Sequence, residues 1–161
     1  MTFIRLESII ILFGQTYRII TYYGEATVKS KKNKPTVRTV INTDKAPKAI
    51  GPYSQGIELK KLLFLSGQLP IDPATGEIVG DDFATQTKKV LENIDALLRD
   101  RGLSAENVVK TTIYITDMAG FAEVNAEYAS YFSFEPPARS CVAVAALPMG
   151  AKVEIEVIAT L

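Results

Sequence analysis

The chain has 161 residues, enough for one domain with a substantial core, and its 18 Lys/Arg balance 18 Asp/Glu. It contains no His and a single Cys, Cys141, which excludes Ser–His and Cys–His nucleophile pairs, an internal disulfide and a thiolate zinc cage. No glycine-rich phosphate loop of either standard spacing occurs, so any chemistry must run on Arg, Glu, Asp, Tyr, Ser, Cys or backbone groups.

The charge is unevenly spread. Residues 1–36 hold six Lys/Arg against two Asp/Glu, and residues 37–161 hold twelve against sixteen. A mildly acidic domain without a basic run argues against nucleic acid as its partner, because phosphate binding needs clustered cations. Within residues 1–36, the apolar run Ile9–Phe13 is too short to span a bilayer and is broken by Gly14, Gln15 and Arg18. It lacks a small-residue cleavage pattern, so no membrane partner is expected. Lys29–Pro35 reads as a basic, solvated linker. The preferred reading of 1–36 is an accessory segment, or a wrongly assigned start, that packs poorly on the domain. The alternative is an organelle-targeting presequence, against which Glu7 and Glu25 count. Without such targeting the expected compartment is the cytoplasm.

The domain proper, 37–161, opens with a predicted strand over Val37–Asn42 and a loop from Thr43 to Gln55. Gly51-Pro52 constrains that loop and leaves Tyr53 on an exposed turn, either packed over the loop or facing a site. Gly56–Leu59 and Leu62–Gly67 read as a hairpin turning at Lys60-Lys61. The second strand is apolar throughout, as expected of a strand covered on both faces. It stops at Ser66-Gly67-Gln68, where a glycine permits close approach of another group. Ile71–Glu77 is a turn punctuated by Pro73 and Gly76.

A long helix follows, capped by Asp81 or Asp82, with an apolar stripe of Phe83, Val90, Leu91, Ile94, Leu97 and Leu98 before Gly102. Asn107–Thr116 is a β-branched strand. Asp117 caps a second helix, about Met118 to Phe132, whose stripe is Phe121, Val124, Tyr128 and Phe132. Asn125 lies beside that stripe, placed for a backbone bond or a ligand. Two prolines, Pro136 and Pro137, then precede a strand that sends Arg139, Cys141 and Ala143 to one face and Ser140, Val142 and Val144 to the other. The last strand sends Val153, Ile155 and Val157 one way, and Glu154 and Glu156 the other. The fold class is α+β, with two helices on one face of a mixed sheet. The opposite face needs cover that one small chain cannot supply, so an oligomer is expected.

Five blocks in this order resemble the RidA/YjgF (reactive intermediate deaminase) family across about residues 38–161: Ile50–Gln55, Phe64–Gln68, Phe121–Asn125, Pro137–Val142 and Val153–Glu156. The resemblance implies a chorismate-mutase-like protomer assembled as a homotrimeric barrel with active sites between subunits. It further implies cofactor-free and metal-free hydrolysis of 2-imino acids, such as 2-iminobutanoate and 2-iminopropanoate, to 2-keto acids and ammonia. Arg139 matches the family's essential arginine and would hold the substrate carboxylate. Glu154 matches the glutamate that positions or activates water, and Tyr53 the tyrosine that closes the site. Ser66, Gly67, Asn125 and Cys141 match positions lining the pocket.

The residue types suit that chemistry. An imine carbon is already electrophilic, so a held carboxylate, a placed water and a proton shuttle suffice. If the last two strands form a hairpin across Leu147–Gly150, Glu154 pairs near Ala143, about 13 Å along the strand from Arg139. The two would then meet in one site across a subunit boundary. The competing reading is a non-catalytic trimer that binds small carboxylates as a regulator, or a chaperone-like protein. RNA cleavage, also attributed to relatives, is disfavoured by the acidic domain and the missing His.

Overall fold

A computed structural model describes residues 37–161 and, before them, the backbone of three strands: β1 (Ile9–Phe13), β2 (Thr16–Thr21) and β3 (Gly24–Val28). The chain divides into two compact units, Met1–Thr36 and Val37–Leu161. In the first, β1, β2 and β3 form an antiparallel meander with Ile11 opposite Arg18 and Ile19 opposite Ala26. The sequence reading assigned no strand there, although short β-branched runs broken by polar residues carry that signal. The basic linker Lys29–Pro35 and the packing of 1–36 on the domain lie outside the described residues.

The second unit is built on a six-stranded sheet. Its strands are β4 (Arg38–Ile41), β5 (Gly56–Leu59), β6 (Leu62–Gln68), β7 (Val108–Ile115), β8 (Ala138–Ala143) and β9 (Val153–Thr160). They lie in the order β4-β5-β6-β9-β7-β8, and every pair is antiparallel except β7–β8. The β5–β6 hairpin turns at Lys60-Lys61, with Leu59 opposite Leu62 and Lys60 at φ +57°.

The expected hairpin between the last two strands is absent, because β7 lies between β8 and β9. The physical reason is the helical crossover after β7. It returns the chain parallel to β7 on one side, and the link 144–152 then wraps the strand's end to reach its other side. Val144 N–H donates to Ile115 O at 2.8 Å, and Thr116 N–H donates to Lys152 O at 3.1 Å. A single 3-10 turn at Pro148–Gly150, with Met149 at φ +57°, reverses the link.

Helix α1 (Phe83–Asp100) is capped by Asp82, whose carboxylate accepts from Thr85 N–H at 2.7 Å. Gly102, at φ +71°, closes its other end, where a left-handed residue is needed. Its buried stripe is Val90, Leu91, Ile94, Leu97 and Leu98. Helix α2 (Phe121–Tyr131) starts later than the spacing predicts: Met118–Gly120 forms a 3-10 turn, capped by Asp117 accepting from Ala119 N–H at 2.9 Å. Gly120 is pressed on the Phe83 ring, where a Cβ would lie 2.3 Å from ring carbons.

Both helices join one core with Leu63, Leu65, Ile113, Ile115, Val153, Ile155 and Val157, all on the same sheet face. Among the described residues nothing covers the other face. There Val40, Leu62, Phe64 and Val142 are exposed, so β6 is covered on one face of the protomer rather than two. The strand reads as doubly buried because Leu62 and Phe64 are as apolar as Leu63 and Leu65. Among the described residues no helix is long and apolar enough to cross a membrane.

Candidate functional site

A cleft of about 250 Å³ is lined by Ile50, Tyr53, Ser66, Gly67, Leu69, Pro148 and Glu154. Its floor is a bulge in the β6–β9 ladder. Leu65 stands opposite Val157 and Gln68 opposite Ile155, so Ser66 and Gly67 share the space opposite Glu156 and the strand bends there. Ser66 N–H donates to Gln55 O at 3.0 Å, and its hydroxyl donates to Ser54 O at 2.7 Å. The hydroxyl therefore ties the 43–55 loop to the bulge and faces the cleft as an acceptor only.

Gly67 is small because Glu154 lies on it. A Cβ at this position would sit 1.8 Å from Glu154 Oε1 and 2.7 Å from its Cδ. The group that approaches this glycine is a side chain of the same chain. Glu154 alternates with buried Val153 and Ile155, so it points away from the helices. Burial pushes its carboxyl above the ordinary range, and the charge of Glu156 adds to this. Tyr114, opposite Glu154 on β7, is pushed up by burial, then by Glu156 and Glu154.

Tyr53 hangs over the cleft, 46% exposed, with its hydroxyl accepting from Ile50 N–H at 3.1 Å. Its loop is held by Gln55, only 4% exposed. The Gln55 amide donates to the carbonyls of Thr43, Ala46 and Pro47, and its Oε1 accepts from Thr43 N–H at 2.7 Å. The sequence reading quoted Gln55 within a block without giving it this role. A long amide in a Pro- and Gly-punctuated loop was the available signal.

Arg139, Asn125 and Cys141 form a second group. Arg139 Nη1 donates to Asn125 Oδ1 at 2.8 Å. Its guanidinium lies 4.8 Å from the Tyr128 ring centroid and 5.8 Å from that of Phe121, so it is on the helix side of the sheet. Asn125 thus spends its oxygen on the arginine. Cys141 packs against the core. Burial raises its thiol, and Arg139 offsets part of that rise, an environment that disfavours a thiolate nucleophile. Sequence reasoning treated Phe121 and Tyr128 as core only. Their spacing with Asn125, at i, i+4 and i+7, places all three on one stripe under Arg139.

One chain therefore holds the seven candidate residues as two groups on opposite sheet faces. Arg139 is level with Thr111 and Val157, whereas Glu154 is level with Tyr114 and Val142. Three residues along the strand and two strand spacings separate them, roughly 14 Å between Cα positions. One group offers a fork-shaped cation against aromatic rings, the other a half-buried carboxylate that protonates readily. Among the described residues no cluster of His, Cys, Asp and Glu could hold a metal ion.

The sequence model of the family described as Endoribonuclease L-PSP matches residues 43–161. Protein DfrA of Myxococcus xanthus is 52% identical over 124 residues, spanning 76% of this chain and 95% of that protein. The chloroplastic Reactive Intermediate Deaminase A of Arabidopsis thaliana is 50% identical over 124 residues, 77% of this chain and 66% of the relative. Among solved structures, a putative endoribonuclease of Thermotoga maritima aligns with a TM-score of 0.74 at 50% identity, covering 76% of this chain and 97% of that one. TdcF of E. coli with bound serine aligns at 0.73 and 44% identity, covering 76% and 98%. The shared α+β fold, the length of the match and the level of identity place the chain in the RidA/YjgF (reactive intermediate deaminase) family.

Proposed function

We propose that the protein hydrolyses reactive 2-imino acids and their enamine tautomers, with 2-iminobutanoate and 2-iminopropanoate as substrates, to 2-keto acids and ammonia. The observation that carries this reading is the division of the candidate site. The carboxylate-binding half, Arg139 with Asn125 and Cys141, and the proton-handling half, Glu154 with Tyr53, Ser66 and Gly67, each lack the other within one chain. A homotrimer whose open sheet faces pack together would join them across subunits and bury Val40, Leu62, Phe64 and Val142.

In such a site the guanidinium fork of Arg139 holds the substrate carboxylate. Glu154, more basic than an ordinary carboxylate, takes a proton from water as the oxygen adds to the imine carbon. It returns that proton to the carbinolamine nitrogen, then accepts the hydroxyl proton as the C–N bond breaks, the carbonyl forms and ammonia leaves. Tyr53 closes the cleft and limits loss of the intermediate to solvent. Water and imine account for every atom of the keto acid and ammonia, so the residues need supply only binding and proton transfer. The serine bound to the E. coli relative, itself a small carboxylate, supports this ligand class and equally supports a non-catalytic carboxylate-binding regulator. The family description as an endoribonuclease has less support in this chain, whose domain is acidic and has no His to serve as a general base.

The test generates 2-iminobutanoate in situ with threonine dehydratase, or 2-iminopropanoate with an amino-acid oxidase, and adds semicarbazide as a trap. Wild type should outcompete the trap, and Arg139→Ala of unchanged oligomeric size should not. If wild type fails to compete, the regulator reading takes its place. We assign the protein to the cytoplasm, with organelle import through residues 1–36 as the alternative. A fluorescent fusion of residues 1–36 distinguishes the two.

A further inference from the structure

We propose that Tyr128, with Phe121 beside it, is a positioning residue: its ring face holds the Arg139 guanidinium in the orientation that receives the substrate carboxylate. This rests on the function proposed above and extends it to a residue that touches no reacting atom. The need arises from where Arg139 stands. It is exposed on an edge strand, and an arginine there has many rotamers to lose when it binds a ligand.

The contacts around it form a closed circuit. Thr111 is the backbone partner of Arg139 in the β7–β8 ladder. The Thr111 hydroxyl is hydrogen-bonded to the Tyr128 hydroxyl at 2.8 Å, wholly inside the protein. The Tyr128 ring, 5% exposed, then lies under the guanidinium at 4.8 Å. The strand that carries the arginine therefore also fixes the ring on which the arginine rests. Phe121 stands at 5.8 Å on the same helix stripe, and Asn125 between them takes one guanidinium N–H. Of the five N–H donors of an arginine this leaves four, and a carboxylate needs two. Cation–π attraction favours the flat arrangement without consuming any of those donors. Burial raises the Tyr128 phenol, so the hydroxyl stays protonated and able to bond Thr111 across the working pH range.

A buried tyrosine with a satisfied hydroxyl is also an ordinary core residue, so the experiment must separate the two roles. Two readouts on the full chain do so: the calorimetric Kd for the product 2-oxobutanoate, and the proton NMR shift of Arg139 Nε–H, assigned with Arg139→Lys. In wild type this proton should lie upfield of the other arginines, under the ring current. Tyr128→Phe, which keeps the face, should retain the shift and bind within about twofold. Tyr128→Leu should lose the shift and bind about tenfold more weakly, as expected for loss of one cation–π contact.

Equal losses in Phe and Leu variants, or a folded Leu variant with both readouts unchanged, overturn the proposal. If Tyr128→Leu does not fold, Phe121→Leu at the partly exposed rim takes its place. A reduced shift with about twofold weaker binding supports the shelf, and an unaltered shift overturns it. Wild type that neither deaminates imines nor binds 2-oxobutanoate would end the functional reading, while the shift alone would still decide whether Tyr128 holds Arg139.

Discussion

Gly67→Ala gives the sharpest test of the cleft, because the added methyl occupies the place of the Glu154 carboxylate. The new Cβ would lie 1.8 Å from Oε1, 2.7 Å from Cδ and 2.9 Å from Cγ of Glu154. An unstrained carbon–oxygen contact needs roughly 3.3 Å, so the carboxylate must retreat by about 1.5 Å. The obstruction is the end of a flexible side chain, and Gly67 is not among the residues with positive φ, so alanine fits the backbone. The loss should therefore appear in catalysis rather than in folding. A displacement of about 1 Å in a reacting group costs about a hundredfold, so kcat/KM should fall at least about a hundredfold, about 2.7 kcal/mol in the barrier. The melting temperature should move by only a few degrees, about 1 kcal/mol or less. Semicarbazide competition reads the first quantity and calorimetry the second. Adding Gly67→Ala to Glu154→Ala should cost little more, since the carboxylate that the methyl would displace is already gone. A folded Gly67→Ala protein with kcat/KM within about threefold of wild type would refute the placement of Glu154 over this glycine as a requirement for activity.

The raised carboxyl of Glu154 also has a sign in stability. Between its unfolded and folded values the folded protein binds more protons, so stability falls as pH rises through that window. Glu154→Gln should accordingly raise the melting temperature at neutral pH and flatten this slope while abolishing deamination, as thermal scans against pH will read. Relief of the neighbouring charge in Glu156→Gln should move the acid limb of kcat/KM to lower pH, measured by the same trap assay with Glu154 intact. Gln55→Ala orphans three carbonyls and one N–H at a buried position, which should cost about 2–3 kcal/mol in denaturant unfolding. It should also raise KM, because the loop carries Tyr53. Arg139→Lys keeps the charge and loses the fork, so 2-oxobutanoate should bind about ten- to a hundredfold more weakly, by titration calorimetry.

Much of the domain was legible because the signals are local. The stripe of α1, its cap at Asp81 or Asp82 and the Gly102 stop all lie within a few turns of one helix, and the β5–β6 hairpin is announced by two residues at its turn. Alternation alone assigned Arg139 and Cys141 to one face of β8 and Glu154 to the outer face of β9, as found. The hairpin between β8 and β9 was not legible, because strand order depends on which side of β7 the crossover leaves free. The 3-10 start of α2, where Asp117 caps Ala119 N–H and Gly120 packs on the Phe83 ring of another helix, was not separable from an α-helical start by spacing alone. The strands of residues 9–28 were not legible because runs of five or six residues of this apolar character fit an accessory or targeting segment as well as a strand.

For the candidate site, the sequence by itself determined the chemical inventory: an arginine, two neighbouring glutamates, a tyrosine, and no histidine or thiol pair to compete with them. It also determined which residues of β8 and of β9 share a sheet face, since side chains alternate along an extended strand. Tertiary structure decided which of these residues meet. Gly67 lies under Glu154, Gln55 grips the loop behind Tyr53, and Tyr128 lies beneath Arg139 while bonded to the residue paired with it. Those contacts join residues as distant in sequence as Gly67 and Glu154. The first rests on β6 pairing with β9 and the last on β7 pairing with β8, arrangements set by long-range pairing and helix packing rather than by any local pattern.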